Sequence, residues 1–113
     1  MDELATAAGA DPLEFRLAHL DNPRLRAVLE TVAEKFGWKE RAKSPGAAIG
    51  LSCGVEKGGY VAACVEIQLD AKNQIHVKYV CEAFECGAIV NPGNLTKQVQ
   101  GAVIMGLGPT LRE

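Results

Sequence analysis

Apolar positions in the first third of the chain recur at helical spacing. Leu25, Val28, Leu29, Val32 and Phe36 fall at i, i+3, i+4, i+7 and i+11 and make one stripe. Asn22-Pro23 ahead of the stripe offers an N-cap and a first-turn proline, and Gly37 behind it offers a left-handed stop. Asp11-Pro12-Leu13-Glu14 repeats the start signal with a glutamate at capping-box spacing, so a helix begins there as well. A shorter helix is predicted over residues 2–8, ended by Gly9.

Beyond the polar linker 39–46 the period changes to two. Val61, Ala63, Val65, Ile67 and Leu69 alternate with Tyr60, Ala62, Cys64, Glu66 and Gln68, which predicts a strand. Turn residues 70–73 follow, and Ile75, Val77, Tyr79 and Cys81 resume the alternation, so the two strands form an antiparallel hairpin. Residues 47–56 pair ahead of Tyr60 through Lys57-Gly58-Gly59. The β-type run extends to Val90, where Asn91-Pro92 breaks regular structure. From about Asn94 to Leu111 the pattern is helical despite Gly101, Gly106 and Gly108. Each glycine costs about 0.8–1.0 kcal/mol relative to alanine in a helix interior. The usual offset is close approach of another backbone or a cofactor.

Helices, then strands, then one helix is an α+β order and argues against a doubly wound sheet. The expected organisation is a single domain over 1–113, with N-terminal helices in 1–38, about three antiparallel strands and a C-terminal glycine-punctuated helix in 47–113. At 113 residues the chain is long enough to bury a core. A formal net charge of -2 gives no electrostatic footprint for nucleic acid or anionic lipid. No apolar run reaches the length of a membrane span, and Met1-Asp2-Glu3-Leu4 lacks the basic start of a secretory signal, so membrane insertion is not expected. The expected location is cytoplasmic, with export of a parent subunit decided by segments other than this one.

The chemistry-bearing residues are sparse. Cys81 and Cys86 are separated by four residues instead of the two that zinc knuckles and thioredoxin-type pairs favour. No metal site is expected, and Cys53, Cys64 and Cys81 read as small hydrophobes with reduced thiols. Cys86, beside Gly87, is the one cysteine kept as a possible neighbour of a site. His19 and His76 have no partner at ligand or triad spacing, so no catalytic residue is assigned. The Gly106-Leu107-Gly108 run is no dinucleotide fingerprint, because Pro109 interrupts it and no strand precedes it. Gln98 is the sharpest polar residue of the tail. Between Leu95, Val99 and Ala102 it is either a solvated helix position or, with Gly101 one turn along, an amide that offers donor and acceptor to a heterocycle. Pattern alone leaves both readings open.

Three blocks, Tyr60-Val-Ala-Ala-Cys-Val-Glu66, Glu85-Cys-Gly-Ala-Ile-Val-Asn-Pro92 and Gln98-Val-Gln-Gly-Ala-Val-Ile-Met-Gly-Leu-Gly108, resemble the molybdopterin-binding large subunit of the xanthine dehydrogenase and aldehyde oxidase family. The nearest type is the bacterial isoquinoline 1-oxidoreductase or aldehyde dehydrogenase β subunit. The opening Met1-Asp-Glu-Leu-Ala5 and Asp11-Pro-Leu-Glu-Phe-Arg16 are similar to an internal helical segment of that subunit. The resemblance implies hydroxylation of aldehydes or N-heterocycles with oxygen from water. It also implies a molybdopterin cofactor, as a dinucleotide, held in the parent enzyme and not on the isolated fragment. Gln98 falls where the family's amide contacts the pterin, and Gly101 where the backbone approaches it. Glu85, Ala88 and Gln100 depart from the family's frequent Asp, Arg and Glu. The family's catalytic glutamate, its upstream glycine-rich loop and its iron–sulfur cysteines lie outside these residues. The implied partners are the remainder of the large subunit and an iron–sulfur subunit or domain. The competing reading is a non-catalytic protein-interaction module.

Overall fold

The computed structural model describes residues 1–41 and 44–112; Ala42 and Lys43 of the expected linker lie outside the described residues, as does Glu113. Three helices come first, α1 (Asp2–Ala7), α2 (Pro12–Ala18) and α3 (Pro23–Phe36). Strands β1 (Ala47–Glu56), β2 (Gly59–Leu69) and β3 (Ile75–Glu85) follow, and α4 (Pro92–Arg112) closes the chain. The strands form an antiparallel sheet in the order β1-β2-β3, so the architecture is α+β as the element order implied.

Local signals set the helix ends. Asp11 accepts hydrogen bonds from the backbone N–H groups of Leu13 and Glu14, and Asn22 accepts from those of Arg24 and Leu25. The capping box does not close, because the Glu14 carboxylate turns to Lys39 at 3.3 Å. Gly37 stops α3 at φ 73°, with the N–H groups of Gly37 and Trp38 returned to the carbonyls of Glu34 and Ala33. This stop turns the Trp38 indole into the core.

The stripe of α3 buries Leu25, Val28, Leu29, Val32 and Phe36. It packs on Leu51, Ala62 and Cys64 of the sheet, with Leu13 of α2 and Trp38 completing the cluster. Small side chains on this sheet face, Ala62, Cys64, Cys81 and Ala83, let the helix come close. The alternating series Val61, Ala63, Val65 and Ile67 is the more apolar one, yet it points away from α3 and stays half-buried outside the core cluster. Along β2 the helices thus cover the less hydrophobic series.

Two details of the sheet differ from the alternation read along the chain. Glu66 is opposite Tyr79 whereas Ile67 is opposite Val77, so Lys78 is an extra residue in β3, a bulge. Ile75 and Val77 therefore share the face of Ile67, while Tyr79 and Cys81 lie on the α3 side, where the Tyr79 ring stacks on Phe36 with centroids 5.8 Å apart. A bulge reverses the parity of every position beyond it, which strict alternation does not foresee. The β1–β2 turn is also tighter than expected. Lys57 and Gly58 both have positive φ, at 48° and 82°, and Gly59 already pairs with Glu56, a two-residue hairpin of the primed kind.

The start of the linker is tied to the core. The Arg41 guanidinium lies over the rings of Phe36 and Tyr79 at 4.1 and 4.7 Å, donates to the Phe36 carbonyl and pairs with Glu66. The strand pattern expected to reach Val90 ends at Glu85, because Gly87 takes φ 80° and leads the chain out of the sheet.

Candidate functional site

The loop after Glu85 and the helix behind it carry Cys86, Gln98 and Gly101. Glu85 fixes the loop. One carboxylate oxygen accepts the Gly87 N–H at 2.7 Å and the other accepts Arg24 Nε at 2.8 Å, while the Arg24 guanidinium sits 4.5 Å over the Tyr60 ring. The Gly87 N–H first and Arg24 second hold the Glu85 carboxyl below its ordinary range. Residues 86–91 are thereby tethered to the N-terminus of α3. Asn91 then accepts the Asn94 N–H at 3.0 Å, and α4 starts at Pro92, two residues before the start expected from sequence. The pair Asn91-Pro92 is the same start signal as Asp11-Pro12 and Asn22-Pro23, and its break in the strand pattern concealed that role.

No residue of α4 is buried. Leu95, Val99, Val103 and Leu107 are half-buried at four-residue intervals. Between α4 and β3 lies an open cleft of about 610 Å³, lined by Val80, Glu82 and Phe84 on one wall and Leu95, Val99, Gln100 and Val103 on the other. Gln98 is exposed and does not line this cleft; Gln100 does. Two residues apart on a helix is a rotation of about 200°, so the two amides face opposite ways. Gln98 and Gly101, at i and i+3, share the side of α4 turned from the cleft.

The glycines of α4 are not demanded by anything within the described residues. A Cβ built at Gly101, Gly106 or Gly108 meets no atom within 4 Å, so no backbone among the described residues makes the close approach that their helical cost suggested. What they leave is bare backbone on an open surface. Glu82 was missed by sequence reasoning. It is an acid among Val61, Val65 and Val80 on the uncovered sheet face, and burial pushes its carboxyl above the ordinary range. Its alternating position marked it only as a strand residue.

The other nominated groups are structural. His19 Nδ1 donates to the Phe15 carbonyl at 2.7 Å, and His76 Nε2 donates to Asp70 at 3.0 Å, closing the β2–β3 turn. The cysteines are free thiols; Cys64 is buried, Cys53 and Cys81 are half-buried, and Cys86 is exposed. Among the described residues no three His, Cys, Asp or Glu side chains gather in a way that could hold a metal ion. No described helix is long and apolar enough to cross a membrane.

The model for a molybdopterin cofactor-binding domain matches residues 13–113. The chain belongs to this family.

It is 36% identical over 117 residues to the β subunit of isoquinoline 1-oxidoreductase from Brevundimonas diminuta, an alignment that takes in 100% of this chain and 15% of that protein. It is 28% identical over 130 residues to a nicotinate dehydrogenase subunit of Pseudomonas putida, covering 100% of this chain and 11% of that protein. It is 40% identical over 58 residues to the aldehyde oxidoreductase molybdenum-binding subunit PaoC of Escherichia coli K12, covering 41% of this chain and 8% of that protein. The chain thus spans 15% or less of the length of the curated relatives it matches. No solved structure matches it significantly.

The residues present fit one side of a pterin. Gln98 has an exposed amide with both a donor and an acceptor, and half-buried Gly101 beside it has open space where a side chain would stand. Neither can enclose the cofactor alone.

Proposed function

We propose that this chain is the part of a molybdenum-dependent oxidoreductase large subunit that lays the outer side of α4 against the molybdopterin. The observation that carries the reading is the placement of exposed Gln98 and half-buried Gly101 together on the side of α4 turned from the cleft, in a chain of the molybdopterin-binding family. Gln98 hydrogen-bonds a heteroatom edge of the pterin, and Gly101 admits the ring system to the helix backbone. Glu85, through Gly87 and Arg24, positions the start of the helix that carries them. When bound, the cofactor, in dinucleotide form, supplies oxygen transfer and electron acceptance in the hydroxylation of aldehydes or N-heterocycles with oxygen from water. This chain's share is binding and orientation. The wider grouping is that of xanthine dehydrogenase and aldehyde oxidase, and electrons pass to an iron–sulfur partner.

The uncovered sheet face supports a large partner. Val61, Val65, Ile67, Val80 and Phe84 give it an apolar surface, and the remainder of the large subunit is its natural cover. That same face favours the second reading, a protein-interaction module without a cofactor. Sedimentation with the remainder of the subunit, with and without molybdopterin, separates the two. The isolated chain is expected to oxidise neither aldehydes nor N-heterocycles with an artificial electron acceptor.

The test is molybdenum content per subunit in the full-length parent after dialysis, for wild type, Gln98→Ala and Gln100→Ala. A lost hydrogen bond that leaves a buried partner unsatisfied costs about 1–3 kcal/mol, so Gln98→Ala should lower retention several-fold or more. Gln100→Ala, facing the cleft, should do much less. Equal retention in all three with unchanged activity overturns the placement of Gln98.

A further inference from the structure

Cys64 and Cys81 stand directly opposite each other on β2 and β3, on the side of the sheet that packs against α3. They are the one cysteine pair in direct register across the sheet; Cys53 is opposite Ala62, and Cys86 lies in the loop beyond β3. Opposed residues of an antiparallel pair have Cα atoms about 4.5–5.5 Å apart. That lies inside the roughly 4.4–6.8 Å that a disulfide spans, and the Cβ separation of about 4.5–5.5 Å for such pairs needs only a slight approach to reach the roughly 3.5–4.5 Å of a bridge.

The two thiols differ in access. Cys64 is wholly buried, whereas Cys81 is half-buried on an edge strand. Of the two, a small oxidant meets the half-buried Cys81 first.

We propose that Cys81 and Cys64 form a peroxide-responsive pair, Cys81 as the sulfur that is oxidised and Cys64 as the thiol that resolves it into a cross-strand disulfide. The Cys81 thiolate attacks one oxygen of a hydroperoxide, the O–O bond breaks, and the sulfenic acid forms as hydroxide or alkoxide departs. Cys64 gives up its proton to that base, its sulfur attacks the Cys81 sulfur, the S–O bond breaks, and the departing hydroxide takes up the proton that Cys81 had released to solvent and leaves as water. With hydrogen peroxide, two thiols and one peroxide become one disulfide and two waters, a two-electron oxidation. Burial, and after it the neighbouring Cys81, push the Cys64 thiol up to about 11. Cys64 is therefore held as the protonated partner, and resolution is the slow step, faster at higher pH. The bridge would fasten β2 to β3 at the centre of the helix-covered face.

The experiment treats the folded chain with hydrogen peroxide, blocks remaining thiols by alkylation without reduction, and maps tryptic peptides by mass spectrometry. The Cys86→Ser variant removes the second cysteine of the Cys81 peptide, so that the linked peptide is unambiguous. The expected result is a loss of two titratable thiols, a bridge between the Cys64 and Cys81 peptides, and reversal by dithiothreitol. In Cys64→Ala, dimedone should trap the sulfenic acid on Cys81. A bridge through Cys53, four thiols still titratable after peroxide, or oxidation of Cys81 to the sulfinic acid ahead of any bridge in the Cys86→Ser chain would each overturn the proposal.

Discussion

The Asp11 carboxylate accepts the indole N–H of Trp38 at 3.1 and 3.2 Å while one of its oxygens caps α2 through the N–H groups of Leu13 and Glu14. One side chain thus joins the start of α2 to the residue just past the end of α3. Loss of a cap alone costs about 0.5–2 kcal/mol, and the buried indole N–H left without a partner adds to that. Asp11→Ala should therefore destabilise the chain by about 2–3 kcal/mol. Asp11→Asn, which keeps an acceptor, should lose much less. Urea unfolding followed by Trp38 fluorescence, the only tryptophan of the chain, measures both.

The two sides of the sheet should respond differently to truncation. Leu29 is fully buried under α3, so Leu29→Ala removes core atoms and leaves a cavity, a loss of about 2–5 kcal/mol. Ile75 shares the uncovered face and is 51% exposed, so Ile75→Ser in the isolated chain should stay within about 0.5 kcal/mol. Chemical denaturation of both variants checks the contrast; a cost at Ile75 matching that at Leu29 would show that this face is covered in solution.

Acid should act on Glu85 and Glu82 with opposite signs. The folded pKa of Glu85 lies below its ordinary value of 4.5, so its contribution is present above pH 4.5 and fades as pH falls through the folded value. The folded pKa of Glu82 lies above 4.5, so ionisation of this acid opposes folding, and the penalty builds as pH rises from 4.5 through the folded value. Glu85→Gln should thus lower the melting temperature at pH 7 and match wild type in strong acid. Glu82→Gln should raise it at pH 7 and also converge with wild type in acid. Thermal melts between pH 2 and 8 give the comparison.

Lys57 occupies a left-handed position that an L-residue with a long side chain adopts at a cost of roughly 1–2 kcal/mol. Asparagine tolerates it better and, before Gly58, completes the preferred pair for this hairpin. Lys57→Asn should stabilise the chain by up to about 1 kcal/mol, read as a higher melting temperature. No change would mean that the turn relaxes to another form in solution.

The helices were legible because their signals are local. Asp11, Asn22, Gly9 and Gly37 act within a few residues, and the stripe from Leu25 to Phe36 states its own buried face. The hairpins were legible for the same reason. The face of the sheet that α3 covers was not. Val61, Val65 and Ile67 outrank Ala62 and Cys64 in hydrophobicity, but close packing of a helix selects small side chains, and that is a property of the meeting of two elements. The bulge at Lys78 was hidden as well, since Ile75, Val77, Tyr79 and Cys81 satisfy simple alternation whether or not a residue is skipped. At the candidate site, sequence nominated Gln98 and Gly101 and passed over Glu85, whose role depends on Arg24, 61 positions away.

A helix that buries none of its own residues and contains four glycines and Pro109 is held by little more than backbone propensity. Its population as a helix then becomes an adjustable quantity. Any surface that receives α4 must first meet the free energy of ordering it, and the apparent dissociation constant is weakened by the fraction of chains in which the helix is already formed. Alanine at Gly106, where added atoms meet open space, would raise that fraction and tighten assembly with no new contact. Affinity here is tunable from inside the helix.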